Sequence, residues 1–171
     1  MSTLGRQVIC YDYPLNERVR TLLRLEDMFE KVQFFAAQDT APTHHSALVT
    51  LFDIMEMIGR ADLKSDLLQE LERKRLAFES LRNRPEVSEH ALDKVLEDIR
   101  TTIANLHQGV GKIGQHLREN EWLMSIKQRT GIPGGVCEFD LPSYHYWLAR
   151  NPLLRRDDIR DWLAPMLSIY D

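Results

Sequence analysis

The sequence lacks several features that mark secreted proteins, metalloproteins and membrane proteins. Its 171 residues include only two cysteines, Cys10 and Cys137. Two are too few for a disulfide framework or, by themselves, for a zinc site. No apolar run approaches the ~20 residues of a membrane-spanning helix, and the first residues contain no long apolar stretch of a secretory signal. We therefore expect a cytoplasmic protein without membrane insertion.

Neither sign of charge dominates the sequence. It carries 22 lysines and arginines against 26 aspartates and glutamates, which gives a net charge of -4. Nucleic-acid-binding domains are usually strongly basic, so a general DNA- or RNA-binding role is not expected. A local basic patch remains compatible with this total, because a patch acts over roughly a Debye length. The apolar share of 43% is ordinary for one well-buried domain.

Motifs that hold metals or phosphates are also absent from the sequence. His44 and His45 are adjacent and would point apart on a helix, and the other histidines are scattered. No H-E-x-x-H, C-x-x-C or paired Glu-x-x-His pattern occurs. The segment GVGKIG, from Gly109 to Gly114, lacks the spacing of a phosphate-binding loop, and we interpret it as a helix break. We therefore expect no cofactor and no metal.

The segment IPGGVCEFDLPSYHYWL, residues 132–148, contains the one pair of residues that suggests catalysis. Cys137 and His145 are a nucleophile and a base by type, but a cysteine enzyme needs them in contact, usually with a third orienting group. Cys137 is expected in a glycine-rich loop and His145 inside a helix. The simpler interpretation is an apolar cysteine under a tight turn, with Gly134 and Gly135 supplying positive φ angles.

Apolar residues recur at helical spacing along most of the chain, which predicts a mainly α-helical bundle of about six to seven helices. The segment 38–45 is expected to be a loop. A short helix is predicted after Asp140, and the last helical segment is expected to bend or end near Pro165. Long helices are predicted in the segments that begin at Leu15, Ser46, Ala61, Ser88 and Ile113.

Three local signals predict where helices begin or end. Ser88 is a good N-cap for the fourth helix, and Gly59 closes the second. Asp140 is expected to cap the short helix that has Pro142 in its first turn. The segment 113–130 is predicted to be one continuous fifth helix.

The first residues follow a different pattern. Residues from Gln7 to Tyr13 are rich in β-branched and aromatic types and precede a proline, which predicts one β-strand. A single strand needs partners elsewhere. We therefore separate the predicted strand, within residues 1–14, from the helical domain, residues 15–171.

Basic residues offer a better functional hypothesis than the cysteine. Several lie on the predicted outer faces of the first and fifth helices and around the junction of the second and third. Any one of them is most simply a solvated surface residue, but together they predict a concave basic surface for an acidic peptide tail. The residues are Arg20, Arg24, Lys31, Arg60, Lys64, Arg118, Lys127, Arg129 and His145.

Five segments in order along the chain resemble the ZapD family of bacterial cell-division proteins. They are YPLNERVRTLLRLE, DLLQELER, IGQHLREN, IPGGVCEFDLPSYHYWL and WLAPM. The resemblance implies a cytoplasmic homodimer located with the Z-ring at midcell. It also implies that the protein binds the C-terminal tail of the tubulin-like protein FtsZ, bundles FtsZ filaments, and is not an enzyme. The family fold combines an α-helical domain with a smaller β-domain. The resemblance thus implies that residues 1–14 are the N-terminal strand of this small β-domain, most of which we expect this chain to lack.

The resemblance also implies four residues for binding the FtsZ tail. Arg24 stands in the motif LRLE, Arg118 in IGQxLR and His145 in LPxxHxWL, and Arg60 matches a basic position before the third helix. Two alternatives stay open: a helical adaptor for another acidic partner, and an enzyme that uses Cys137.

Overall fold

The computed structural model describes residues 10–11, 13–59, 63–108 and 114–167. Within these ranges the chain is mainly α-helical, as predicted, and forms eight α-helices and one short 3-10 helix. The predicted strand lies largely outside the described residues, and Cys10, Tyr11 and Tyr13 are in no regular element. The helices are α1 (Glu17–Ala36), α2 (Ala41–Gly59), α3 (Leu63–Glu79), α4 (Glu89–Gln108), α5 (Gln115–Arg118), α6 (Glu121–Thr130), α7 (Pro142–Ala149) and α8 (Pro152–Leu163), followed by the 3-10 turn Ala164–Met166.

Short polar side chains set the start of four helices. The Ser88 hydroxyl accepts from the Ala91 amide at 3.4 Å, as predicted for α4. Asn16 and Asn151 accept in the same way at the starts of α1 and α8. Asn120 caps α6 through the Leu123 amide at 3.0 Å. Each such bond satisfies an amide that otherwise has no helical partner.

Three predicted boundaries are wrong for local reasons. The fifth helix is divided into α5 and α6, because Asn120 starts a new helix within the apolar pattern. The second helix begins at Ala41 and not at Ser46, since the Thr40 hydroxyl accepts from the Thr43 amide at 3.3 Å. Asp140 does not cap α7, whose N-cap is Leu141, although Pro142 occupies the first turn as predicted.

Helix α2 lies at the centre of the main core. It packs most extensively on α1 and also contacts α6, α7 and α8. Phe29 of α1, Leu48 and Leu51 of α2, and Ile126 of α6 are fully buried there. A fully buried side chain of this kind contributes about 1.5–3 kcal/mol relative to exposure, so α2 holds the other helices in place mainly by apolar burial.

A buried arginine connects α8 to the start of α2, to the α1–α2 connection and to the end of α7. Arg155 of α8 donates from Nε to His44 Nδ1 at 2.8 Å and from Nη2 to the Asp39 carbonyl at 2.7 Å. Nη1 donates to the Leu148 carbonyl. His44 is itself buried and lies 2.6 Å, through Nε2, from the Gln38 carbonyl. Because its Nδ1 accepts, Nε2 carries the proton and the ring is neutral.

Helices α3 and α4 form an antiparallel pair, named here the α3–α4 hairpin, that stands apart from the main core. The two helices pack chiefly on each other, and no residue of α3 is buried. Leu92, Leu96 and Leu106 of α4 are buried, but they are not part of the main core cluster. The hairpin therefore has a small apolar contact of its own.

Candidate partner-binding site

Two of the four predicted site residues, Arg24 and Arg118, each lie beside the C-terminal end of α2. Arg118, on the short helix α5, reaches back so that its Nη2 lies 3.3 Å from the Met55 carbonyl. A Cβ atom on Gly59 would lie only 1.5 Å from the same nitrogen. The glycine therefore makes room for the guanidinium group, whose positive charge is favourable at a helix C-terminus.

Arg24 lies on α1 beside the same end of α2. Its side chain is 60% exposed and pairs with Glu17 at 3.5 Å. Together with Met57, from the last turn of α2, it lines a cleft of about 370 Å³ between α1 and α3. An exposed pair of this kind contributes little stability, so the Arg24 guanidinium is available to exchange Glu17 for another carboxylate.

Arg60, the third predicted residue, follows Gly59 in the sequence and lies outside the described residues. The structure therefore leaves its role as a prediction.

His145 is positioned by a different part of the molecule. Its Nε2 lies 2.7 Å from the Val136 carbonyl, and its ring packs edge-on against Tyr144. The Tyr144 hydroxyl in turn contacts His45 Nδ1 at 2.6 Å. His45 and Met55 are ten positions apart in α2, which is about 15 Å along a helix axis. The structure thus brings Arg24 and Arg118 to one end of α2 and links His145 to the other.

Four of the other predicted basic residues are each paired with a nearby acid. Lys31 pairs with Asp27 along α1, and Arg20 with Glu17. Lys127 pairs with Glu56 of α2, and Arg129 with Asp140 at 3.2 Å. These pairs divide the expected basic surface into separate basic positions. Arg118 forms no ion pair with any residue in the described part of the chain.

Sequence reasoning missed the acidic partner of Arg24 and the cleft beside it. Glu17 and Arg24 are seven residues apart, which places them on one face of α1, two turns apart. The ion pair could therefore have been predicted from that spacing. The cleft could not be predicted from the sequence, because Met57 and Leu63, which line it, belong to helices whose packing the sequence does not specify.

The loop that contains Cys137 is a tight turn. The Cys137 amide donates to Gly134, and its carbonyl accepts from the amides of Asp140 and Leu141. Gly134 has a φ of 71°, as predicted. The prediction of a positive φ for Gly135 is wrong: a Cβ there would lie 2.6 Å from the Arg129 carbonyl, so glycine is needed for close approach.

The geometry of the loop does not bring Cys137 and His145 together as a nucleophile and its base. The ring of His145 bonds to the Val136 carbonyl. Among the residues that the structure describes, no group of three or more His, Cys, Asp or Glu side chains could hold a metal ion. None of the helices in the described ranges is long and apolar enough to cross a membrane.

Comparison with known proteins identifies the family. Residues 23–171 match the ZapD family, described as a cell division protein. A protein named Cell division protein ZapD from Nitrosomonas europaea is 57% identical over 162 residues, which are 95% of this chain and 62% of the relative. Proteins of the same name from Dechloromonas aromatica and Aromatoleum aromaticum are 59% and 58% identical, over 96% and 98% of this chain and 65% of each relative. The chain thus spans just under two thirds of the length of these relatives. It belongs to the ZapD family of cell division proteins.

Proposed function

We propose that this chain binds the C-terminal tail of FtsZ and, as a homodimer, crosslinks FtsZ filaments into bundles that support the Z-ring at midcell. Arg24, Arg60, Arg118 and His145 are the proposed contacts with the tail. The family match supports a role in cell division. The observation that carries the binding proposal is that Arg24 and Arg118 both lie beside the C-terminal end of α2.

The chemistry of these two side chains suits the end of a peptide. A guanidinium group binds a carboxylate through two parallel hydrogen bonds, and a C-terminal tail always ends in a carboxylate. The chain as a whole carries a net charge of -4, so attraction of an acidic tail depends on the local arginines. Such a contact is weak and sensitive to salt.

Crosslinking requires two tail sites on one particle, and a homodimer supplies them without a second kind of site. Many tails project from one FtsZ polymer, so a dimer that has bound one filament meets neighbouring tails at a high effective concentration. Weak individual contacts are therefore sufficient for bundling.

The test is binding of a fluorescent FtsZ tail peptide, measured by anisotropy at low and high salt. We expect saturable binding at low salt that weakens at least tenfold at high salt. The variant Arg24→Gln should weaken binding, whereas Arg100→Gln should not. Arg100 is a matched control, because it is 55% exposed and pairs with Glu97 at 3.6 Å, as Arg24 pairs with Glu17.

Equal affinities of the two variants would contradict the assignment of Arg24. Absence of binding by the wild-type chain at low salt would contradict a tail site within these residues. A chain extended to the length of the relatives would then be compared in the same assay. Binding by the longer chain alone would place essential contacts outside residues 1–171.

A further inference from the structure

The cleft between α1 and α3 contains an open apolar space beside Arg24. It encloses about 370 Å³, which is within the size range of small-molecule sites. Its apolar lining comes from three helices, and Val19 is 38% exposed whereas the other side chains are half-buried. The structure therefore leaves apolar surface here that a ligand of matching shape would remove from water. The apolar lining residues are Val19, Leu22, Met57, Leu63 and Leu67.

Polar contacts hold α3 beside α1 along one part of this cleft. Arg18 Nη2 lies 3.2 Å from both Asp66 and Gln69 of α3, and Arg18 Nη1 lies 3.9 Å from Glu70. Glu70 also accepts from Arg73. Two arginines thus face two acids, and their charges balance. This part of the cleft has no excess charge with which to attract a ligand.

The charges on α1 do not balance in the same way. Arg20 and Arg24 share one carboxylate, that of Glu17, at 3.6 and 3.5 Å. Arg20 also donates from Nε to the Pro14 carbonyl at 3.0 Å, whereas Arg24 is 60% exposed and lines the cleft. Two guanidinium groups against one carboxylate leave an excess positive charge. A second carboxylate at Arg24 would neutralise that excess through two parallel hydrogen bonds.

The remaining lining groups favour an aliphatic ligand. Thr21 is the one uncharged polar residue among the described residues that line the cleft, and its hydroxyl donates to the Glu17 carbonyl at 3.1 Å. None of these described lining residues is aromatic, so a ring would have no partner for stacking. Polar groups along the ligand would lose water without gaining hydrogen bonds. The cleft therefore suits an alkyl chain with one anionic end.

We propose that the cleft binds a medium-chain alkyl carboxylate, with its chain on the apolar lining and its carboxylate at Arg24. The lining part of α1, from Glu17 to Arg24, is about 10 Å long, which suits an extended chain of medium length. A ligand of this size in a half-open cleft should have a dissociation constant on the order of 100 μM. Because the proposed function also places the FtsZ tail on Arg24, the ligand would compete with the tail and reduce bundling. The competition rests on the proposed function, whereas the binding of the ligand does not.

The first test is titration of the full chain with decanoate below its micelle concentration, followed by isothermal titration calorimetry. We expect saturable binding that weakens roughly tenfold from decanoate to octanoate, because two buried methylenes are lost. Decylamine has the same chain length and the opposite charge, and it should bind at least tenfold more weakly than decanoate. Equal affinities of decanoate and decylamine, or no saturable binding of decanoate below ~5 mM, would overturn the proposal.

Two pairs of variants locate the ligand. Val19→Trp fills the cleft and should weaken decanoate binding at least tenfold. Val95→Trp is its matched control, because Val95 is 37% exposed on α4 and does not line the cleft. Arg24→Gln should also weaken decanoate binding, whereas Arg100→Gln should not. Circular dichroism checks that each variant remains folded. Wild-type affinity in Val19→Trp would show that decanoate binds elsewhere and would refute the assignment to the cleft.

Competition with the tail peptide separates this proposal from the proposed function. Decanoate should displace the labelled FtsZ tail from the wild-type chain in the anisotropy assay, but not from Val19→Trp, which keeps Arg24. If decanoate binds in the cleft but the tail does not bind the wild-type chain, the proposed function fails and the ligand site stands. If the tail binds and decanoate does not, only the ligand site fails. Simultaneous binding of both would refute their shared contact at Arg24.

Discussion

Replacement of the buried arginine of α8 tests how the core is held together. We consider Arg155→Met, which keeps much of the side-chain volume and removes all the donors. The substitution leaves three acceptors without a donor: His44 Nδ1 and the carbonyls of Asp39 and Leu148. An unsatisfied buried acceptor costs about 1–3 kcal/mol; His44 Nδ1 is buried, whereas the two carbonyls are only part-buried and cost less. Relief of the buried charge offsets part of this sum, so we expect a loss of about 3 kcal/mol in the free energy of unfolding.

The neighbouring arginine provides a matched control. Arg156 is on the same helix and also binds the α1–α2 connection, through the Asp39 carboxylate at 2.7 Å and the Ala37 carbonyl. Its side chain is partly exposed, so water can replace these contacts. Arg156→Met should therefore cost no more than about 1 kcal/mol.

The assay is urea unfolding followed by tryptophan fluorescence. All three tryptophans belong to one aromatic cluster, in which Trp122, Trp147 and Trp162 have ring centroids less than 6 Å apart. Trp147 also lies beside His44, so the signal reports on the region that is changed. If Arg155→Met costs as little as Arg156→Met, the three acceptors are satisfied in some other way and the reasoning is refuted.

Three further predictions follow from described contacts. Burial and the adjacent Arg155 lower the pKa of His44 below its ordinary value of 6.5. Near and below that pH the unfolded chain therefore binds more protons than the folded chain, so the free energy of unfolding should fall as the pH drops from about 7 through 6.5. The variant His44→Gln should show a weaker dependence on pH. Gly59→Ala should displace the Arg118 guanidinium, change the free energy of unfolding by less than about 1 kcal/mol, and weaken tail-peptide binding in the anisotropy assay. Asn120→Ala should cost about 1 kcal/mol in urea unfolding, because it removes the N-cap of α6.

The start of a helix was predicted correctly from the sequence where a capping residue coincided with the beginning of a periodic apolar pattern. Helix α4 has an N-cap serine and a sustained heptad stripe, and its start was predicted correctly. The boundary at Asn120 was missed because the apolar pattern continues across it. The earlier start of α2 was also missed, although Thr40 before Pro42 is a recognisable helix start.

Contacts between distant segments were beyond sequence reasoning. The partner of Asp140 is Arg129 of α6, so the carboxylate is not available as a helix cap. Lys127 meets Glu56, which is 71 positions away. The resemblance to the family named Arg24 and Arg118, but their common place at the end of α2 depends on the packing of α1 and α5 around that helix.

The separation of the α3–α4 hairpin from the main core affects how cooperatively the chain unfolds. A segment with few buried apolar residues opens at a lower free energy than the core, so its amide hydrogens exchange with solvent sooner. The tryptophan cluster lies in the main core and does not sense that opening, whereas far-UV circular dichroism does. The two probes should then give transitions that do not coincide, and a two-state fit to either would describe only part of the molecule.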